Sequence, residues 1–223
     1  MIWERRQGPR DSIELREAYN ERHTRGFLRD RDRFYRAMAR WMAVRDGERV
    51  LESGCGGGYL LRELPRARCF GVDISDVAIE EARRAAPEAH LVLGAGEALP
   101  FADASFDHVA CLGNLEHFLD PSLGAREMAR VCRPDGTIWV LLPNSFYSGD
   151  IWRVIRFGYG PDHHQPSERF GTIHEWRDFL EASGLKVQEI RPYNRFKWWK
   201  RLLPRNLAYH FLYRCTPQSG ARS

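Results

Sequence analysis

The segment Val50-Leu51-Glu52-Ser53-Gly54-Cys55-Gly56-Gly57-Gly58 constrains this chain more than any other. A short apolar run with strand character enters a glycine cluster, and residues 59–64 continue with helical spacing. Glycine in such a turn lets the backbone approach a ligand closely, and the helix beyond it offers free N–H groups to a carboxylate or phosphate. Nineteen residues past Gly54, Gly71-Val72-Asp73 ends the next apolar run. Asp73 is thereby placed to accept both hydroxyls of a ribose.

The same alternation extends through the middle of the chain. Apolar runs at 49–52, 68–74, 90–93, 106–112 and 137–142 alternate with helical stretches at 77–86 and 123–132, the pattern of an α/β fold with a parallel sheet and crossover helices. Residues 11–45 carry Ile13, Leu15, Tyr19, Phe27, Leu28, Phe34, Tyr35, Met38, Trp41 and Met42 at helical spacing, which predicts one or two amphipathic helices. Residues 145–171 lack a clean period and are rich in Gly, Pro, His, Arg and aromatics, as expected of an insertion or lid. Thr172-Ile173-His174-Glu175 is a capping box opening a helix that Ser183-Gly184 closes. Two strands at 186–191 and 207–215 finish the chain, the second with Leu207, Tyr209, Phe211 and Tyr213 alternating as in a half-buried strand.

Two ligand classes compete for the glycine turn. The dinucleotide fingerprint needs a small residue five positions after its first glycine, and that position is Tyr59. The pattern is instead Glu52-x-Gly54-x-Gly56-x-Gly58. A carboxylate two residues ahead of the turn repels a pyrophosphate and holds a ligand carrying an ammonium and a sulfonium.

These residues resemble the class I S-adenosylmethionine-dependent methyltransferases, in particular the branch of quinone and sterol C-methyltransferase-like proteins. The likeness covers residues 45–145 and the elements within 172–215. It implies a Rossmann-like, mostly parallel seven-stranded sheet with helices on both faces and an antiparallel C-terminal strand. It also implies one methyltransferase domain over 1–223: a helical cap at 1–45, a cofactor-binding core at 46–144, an acceptor-side insertion at 145–171, and a helix with strands at 172–215. With S-adenosyl-L-methionine as cofactor, Glu52, Gly54, Gly56 and Gly58 would cradle its methionine part. Asp73 would hold the ribose and Ile74 would lie beside the adenine. The stretch Gly94-Ala95-Gly96-Glu97-Ala98-Leu99-Pro100-Phe101 matches a further family pattern, with Ala95 where members carry an Asp for the adenine amino group. Gly96 and Glu97 would supply backbone N–H groups, and Asn114, in Asn114-Leu115-Glu116-His117, would lie against the methionine.

Methyl transfer from a sulfonium needs the nucleophile held in line and its proton removed, without a covalent residue. The chain lacks the Asn/Asp-Pro-Pro-Tyr/Phe element and the Pro-Cys nucleophile of nucleic-acid enzymes, so the expected acceptor is an oxygen or carbon of a small molecule, a lipid-linked compound or a saccharide. His117, His163, His164 and His174 are the candidate bases. His117 falls at the carboxyl end of a strand, where open α/β sheets bind ligands. His163 and His164, with Asp162 and Glu168, could alternatively ligate a metal or form a solvated loop, and no metal site is expected.

The net charge of +4 divides into +5 over 1–45, −7 over 46–140 and +6 over 141–223. The acidic middle argues against DNA and leaves RNA open without favouring it, while the basic ends point to an acceptor that is anionic or lies at an anionic surface. Residues 195–203, Arg-Phe-Lys-Trp-Trp-Lys-Arg-Leu-Leu, suit peripheral membrane contact. Five cysteines without a CxxC pair are expected to be buried apolar groups. The charged start and the lack of an apolar run of roughly 18 residues lead one to expect a soluble, cytoplasmic protein. An RNA methyltransferase and a non-catalytic S-adenosylmethionine-binding module remain alternatives.

Overall fold

The computed structural model describes residues 2–4, 9, 11–24, 32–159, 167–194 and 204–218. Seven strands form one sheet: β2 (Arg49–Ser53), β3 (Arg68–Asp73), β4 (His90–Leu93), β5 (Phe106–Leu112), β6 (Cys132–Pro143), β8 (Leu185–Tyr193) and β9 (His210–Pro217). Their order is β4-β3-β2-β5-β6-β9-β8, and β9 alone among them runs against the others. The order reverses between β2 and β5, which opens a crevice at their carboxyl ends. Two further short strands, β1 (Trp3–Glu4) and β7 (Arg169–Phe170), pair with each other.

Helices α1 (Ser12–Thr24) and α2 (Asp32–Met42) precede the sheet. Along it run α3 (Tyr59–Arg62), α4 (Asp76–Ala85), α5 (Pro121–Val131), α6 (Ser148–Phe157) and α7 (Ile173–Ala182), with 3-10 turns at Leu115–His117 and Arg205–Leu207. Side-chain oxygens satisfy helix starts: Ser75 accepts from the N–H of Ala78 at 3.1 Å, and Asp120 from Leu123 at 2.9 Å. Thr172 and Glu175 form the predicted capping box, and the helix ends at Ser183.

Both faces of the sheet are covered, so the central strands are apolar in consecutive positions. Val109, Cys111, Ile138, Val140, Phe211 and Tyr213 pack with Met128 and Trp176 beneath α5 and α7. Ala110, Leu112, Trp139, Leu141 and Leu212 pack with Met38, Leu60 and Ile79 on the other side. The expectation of a half-buried last strand fails here. β9 lies between β6 and β8, so Phe211, Leu212 and Tyr213 are 0%, 1% and 0% exposed, and Leu207 belongs to a 3-10 turn. The segment expected to be an irregular lid contains α6, which buries none of its residues and leaves Trp152 and Ile155 60% and 79% exposed. All five cysteines are buried free thiols. Among the described residues no helix is long and apolar enough to cross a membrane.

Candidate active site

A cavity of about 130 Å3 opens at the carboxyl edge of β2, β3 and β5, where the strand order reverses. Its floor is the glycine turn. Gly54 has φ +73°, and a side chain there would collide with Asn114, whose Nδ2 donates to the Gly54 carbonyl oxygen at 2.8 Å. Gly56 has φ +49° and open space above it, since a Cβ would meet only His23 at 3.9 Å. Gly54 thus serves loop packing against the end of β5, and Gly56 keeps the cradle open.

Asp73, at the end of β3, ties the turn down: Oδ2 accepts from the N–H of Gly56 at 2.8 Å and Oδ1 from Ser75 at 2.9 Å. The Ile74 N–H also points at the Asp73 carboxyl, which keeps acceptor capacity for a further donor. Burial raises its carboxyl above the usual range, against the opposing pull of those N–H groups and of His23. Glu52 is buried with Oε2 unpartnered, and burial followed by the nearby Asp73 charge pushes its carboxyl well above the ordinary value. A buried carboxyl with an orphaned oxygen beneath an open glycine cradle fits a ligand that brings positive charge. The cofactor implied by the motif does so.

The loop after β4 forms another wall. Arg130 of α5 donates to the carbonyl oxygens of Leu99 at 2.9 Å and Phe101 at 2.8 Å, and pairs with Glu127 and Asp103. Glu127 in turn accepts from the N–H of Leu99 at 2.8 Å. This network holds Gly94 to Glu97 against the cavity, and the Leu-Pro-Phe element marks its anchor. Gly96 has no room for a side chain, since a Cβ would lie 2.2 Å from the Phe118 ring. The Glu97 carboxyl accepts from the N–H of Leu119 at 2.8 Å, and burial raises its pKa.

Of the predicted cofactor contacts, Gly54, Gly56, Asp73, Ile74, Gly96, Glu97 and Asn114 line the cavity together. Glu52 and Gly58 lie outside its wall: Gly58 opens α3 and packs against Ala82. His117 also lines the cavity; its Nδ1 donates to the Ser167 carbonyl oxygen, and its Nε2 lies 3.6 Å from Glu116 Oε1. His174 is exposed on the first turn of α7, away from this wall. His163, His164 and residues 195–203 lie outside the described residues. Among the described residues no three His, Cys, Asp or Glu side chains converge on a metal position.

Sequence reasoning missed the roof. Leu15, Tyr19, Arg22 and His23 of α1 line the cavity, and α1 is docked on α4 through Asn20, which accepts from Ser75 Oγ at 2.7 Å and donates to Asp76 at 2.5 Å. Positions 15, 19, 22 and 23 form one helical stripe, and its signal was that Tyr, Arg and His occupy the inward face. The expectation of an anionic acceptor meets a wall that mixes Arg22 with the carboxyls of Asp73 and Glu97.

A family model described as a methyltransferase domain matches residues 51–140. The ubiquinone biosynthesis O-methyltransferase of Neisseria meningitidis serogroup A is 35% identical over 154 residues, 62% of this chain and 60% of that protein. The 27-O-demethylrifamycin SV methyltransferase of Amycolatopsis mediterranei is 29% identical over 180 residues, 73% of this chain and 64% of that one. Among solved structures, magnesium protoporphyrin IX methyltransferase of Synechocystis, with S-adenosylhomocysteine bound, superposes with a TM-score of 0.69 at 17% identity, covering 94% of this chain and 100% of that one. The chain aligns with between 57% and 64% of the length of its curated relatives. The strand order, the glycine turn with Asp73 and the family match agree that residues 51–140 form a class I S-adenosylmethionine-dependent methyltransferase domain.

Proposed function

We propose that this protein transfers the methyl group of S-adenosylmethionine to an oxygen of a small-molecule acceptor. The observation that carries the reading is the open glycine cradle tied down by Asp73, at the crevice where the strand order reverses. When bound, the cofactor supplies a methyl group made electrophilic by its sulfonium. Asp73 would accept from the ribose hydroxyls, and Gly94 to Glu97 would line the adenine side. Asn114 fixes the turn through Gly54, and His117 receives the acceptor's proton. Oxygen is favoured over carbon because relatives named as O-methyltransferases align over most of the domain. The acceptor enters beneath α1.

Calorimetry with S-adenosylmethionine and S-adenosylhomocysteine tests the cofactor half. Binding of both is expected, and saturation at a hundred times Kd should stabilise the fold by about 2.7 kcal/mol. Absence of binding at millimolar concentration refutes it. Labelled S-adenosylmethionine incubated with cell-extract fractions tests the acceptor half: label in a low-mass product supports it, and label in RNA alone refutes it.

A further inference from the structure

We propose that Tyr19 is a catalytic residue whose hydroxyl donates a hydrogen bond to the reacting oxygen of a phenol- or enol-like acceptor while His117 Nε2 takes that oxygen's proton. The assignment rests on the methyl-transfer reading above and names the acceptor chemistry it requires. The Tyr19 hydroxyl is buried yet has no hydrogen-bond partner, an unusual state for a group that ordinarily finds one. Other unpartnered buried atoms have different settings: Glu52 and Ser53 lie outside the cavity wall, and His23 has Glu81 at 3.5 Å. Tyr19 lies on the wall, its ring 6.3 Å from that of His117 and tilted by 58°.

The neighbours decide what this hydroxyl can do. Glu116, Asp73 and Glu168 face it with negative charge and Arg22 with positive charge. Burial and the three carboxyls hold the phenol well above its ordinary pKa, so it stays protonated and acts as a donor, not as a base. His117 is arranged for the complementary task. Its Nδ1 donates to the Ser167 carbonyl oxygen, which leaves the lone pair on Nε2, and Glu116 beside Nε2 steadies the imidazolium formed when a proton arrives. In the transfer one O–C bond forms and one C–S bond breaks, with its electron pair remaining on sulfur. The acceptor's proton passes to His117 Nε2 and then to solvent. An acceptor with an acidic O–H is matched to this pair. A carboxylate as the nucleophile is not, because it would sit against Glu116 without a proton to give.

The test uses 4-nitrophenol, whose absorbance separates phenol from phenolate, titrated into the protein saturated with S-adenosylhomocysteine. Wild type should bind it as phenolate. Tyr19→Phe should weaken that binding by about tenfold or more, the loss expected for a charge-assisted hydrogen bond. It should leave S-adenosylhomocysteine affinity within about twofold and Tm unchanged or raised, since it removes only an unsatisfied group. His117→Gln should leave the bound probe as neutral phenol. Labelling of extract by Tyr19→Phe should fall about a hundredfold. The proposal is overturned if Tyr19→Phe leaves probe affinity and spectrum unchanged. It is also overturned if the variant lowers Tm, which would mark a structural role, or loses S-adenosylhomocysteine, which would put the hydroxyl on the cofactor. Failure of wild type to bind 4-nitrophenol overturns it as well. Failure of wild type to bind S-adenosylhomocysteine instead removes the methyl-transfer reading itself.

Discussion

Two glycines in one turn make opposite demands, and replacing each by alanine separates fold from site. Both have positive φ, so an alanine at either costs about 1.5 kcal/mol of left-handed strain. At Gly56 little else is added, because the new Cβ would meet only His23 at 3.9 Å. At Gly54 the Cβ would lie 2.6 Å from Asn114 Cγ and 2.7 Å from its Cβ. The first of these can rotate, but the second is fixed to the backbone. Asn114 must shift, losing its 2.8 Å bond to the Gly54 carbonyl oxygen, and the overpacking and lost bond together add about 2.5 kcal/mol. For a domain of this size that difference puts Tm of Gly54→Ala about 5–10 °C below that of Gly56→Ala. The ranking inverts for the ligand relative to stability: Gly56→Ala places a methyl group in the open cradle and should lose tenfold or more in S-adenosylhomocysteine affinity while losing only the ~3–6 °C of Tm that the strain alone costs. Differential scanning fluorimetry and calorimetry on the two variants suffice. Equal losses of Tm, or wild-type affinity in Gly56→Ala, would refute the reasoning.

Glu52 has a folded pKa above its unfolded value, so between about pH 4.3 and the folded pKa the native state binds more protons and stability falls as pH rises. Glu52→Gln should therefore melt above wild type at pH 8, with the gap closing towards pH 5, and should weaken S-adenosylmethionine binding; a gap that ignores pH refutes the burial argument. Asp73→Ala should weaken S-adenosylhomocysteine at least tenfold by removing the ribose acceptor and freeing the Gly56 amide, and an unchanged Kd means the register is wrong. Arg130→Ala should cost about 2–4 kcal/mol in urea unfolding, because two carbonyl oxygens and two carboxyls lose one donor group. Arg130→Lys should recover only part of it, and full recovery by lysine would show that charge alone matters there.

The cavity wall at the glycine turn was legible because it is local. A strand, a glycine turn and an acid at the end of the next strand are fixed in sequence distance by the βαβ unit, so Gly54, Gly56 and Asp73 could be placed before any coordinates. Asn114 followed from the end of its strand, and Glu97 from the family resemblance of Gly94 to Phe101. Tyr19 did not, because its role depends on which way α1 lies across the sheet, and that is set by Asn20 meeting Ser75 and Asp76 some 55 residues away. The burial of β9 was misjudged for a related reason: alternation of Phe211 and Tyr213 suggests one dry face, while Leu212 is buried by a neighbouring strand, β8, and by α2 and α3 packing that no local pattern reports. The α6 helix escaped because its large apolar residues meet no core, so the usual signal of an inward stripe has no counterpart.

The buried thiols turn the sheet into its own reporter of opening. A thiolate is the species that alkylating reagents attack, and burial pushes the Cys69 thiol up to about 11 and those of Cys132 and Cys215 up to about 12, with Cys55 and Cys111 also well above the ordinary value. Each belongs to a different part of the structure: the glycine turn, β3, β5, the start of β6 and β9. Modification therefore waits for the surrounding segment to open, and the order in which the five sites gain mass under slow alkylation gives the order in which the strands part. Cys55 alone of the five borders the cavity, so a ligand seated there should protect its thiol first and leave the clock at β9 running at its former rate.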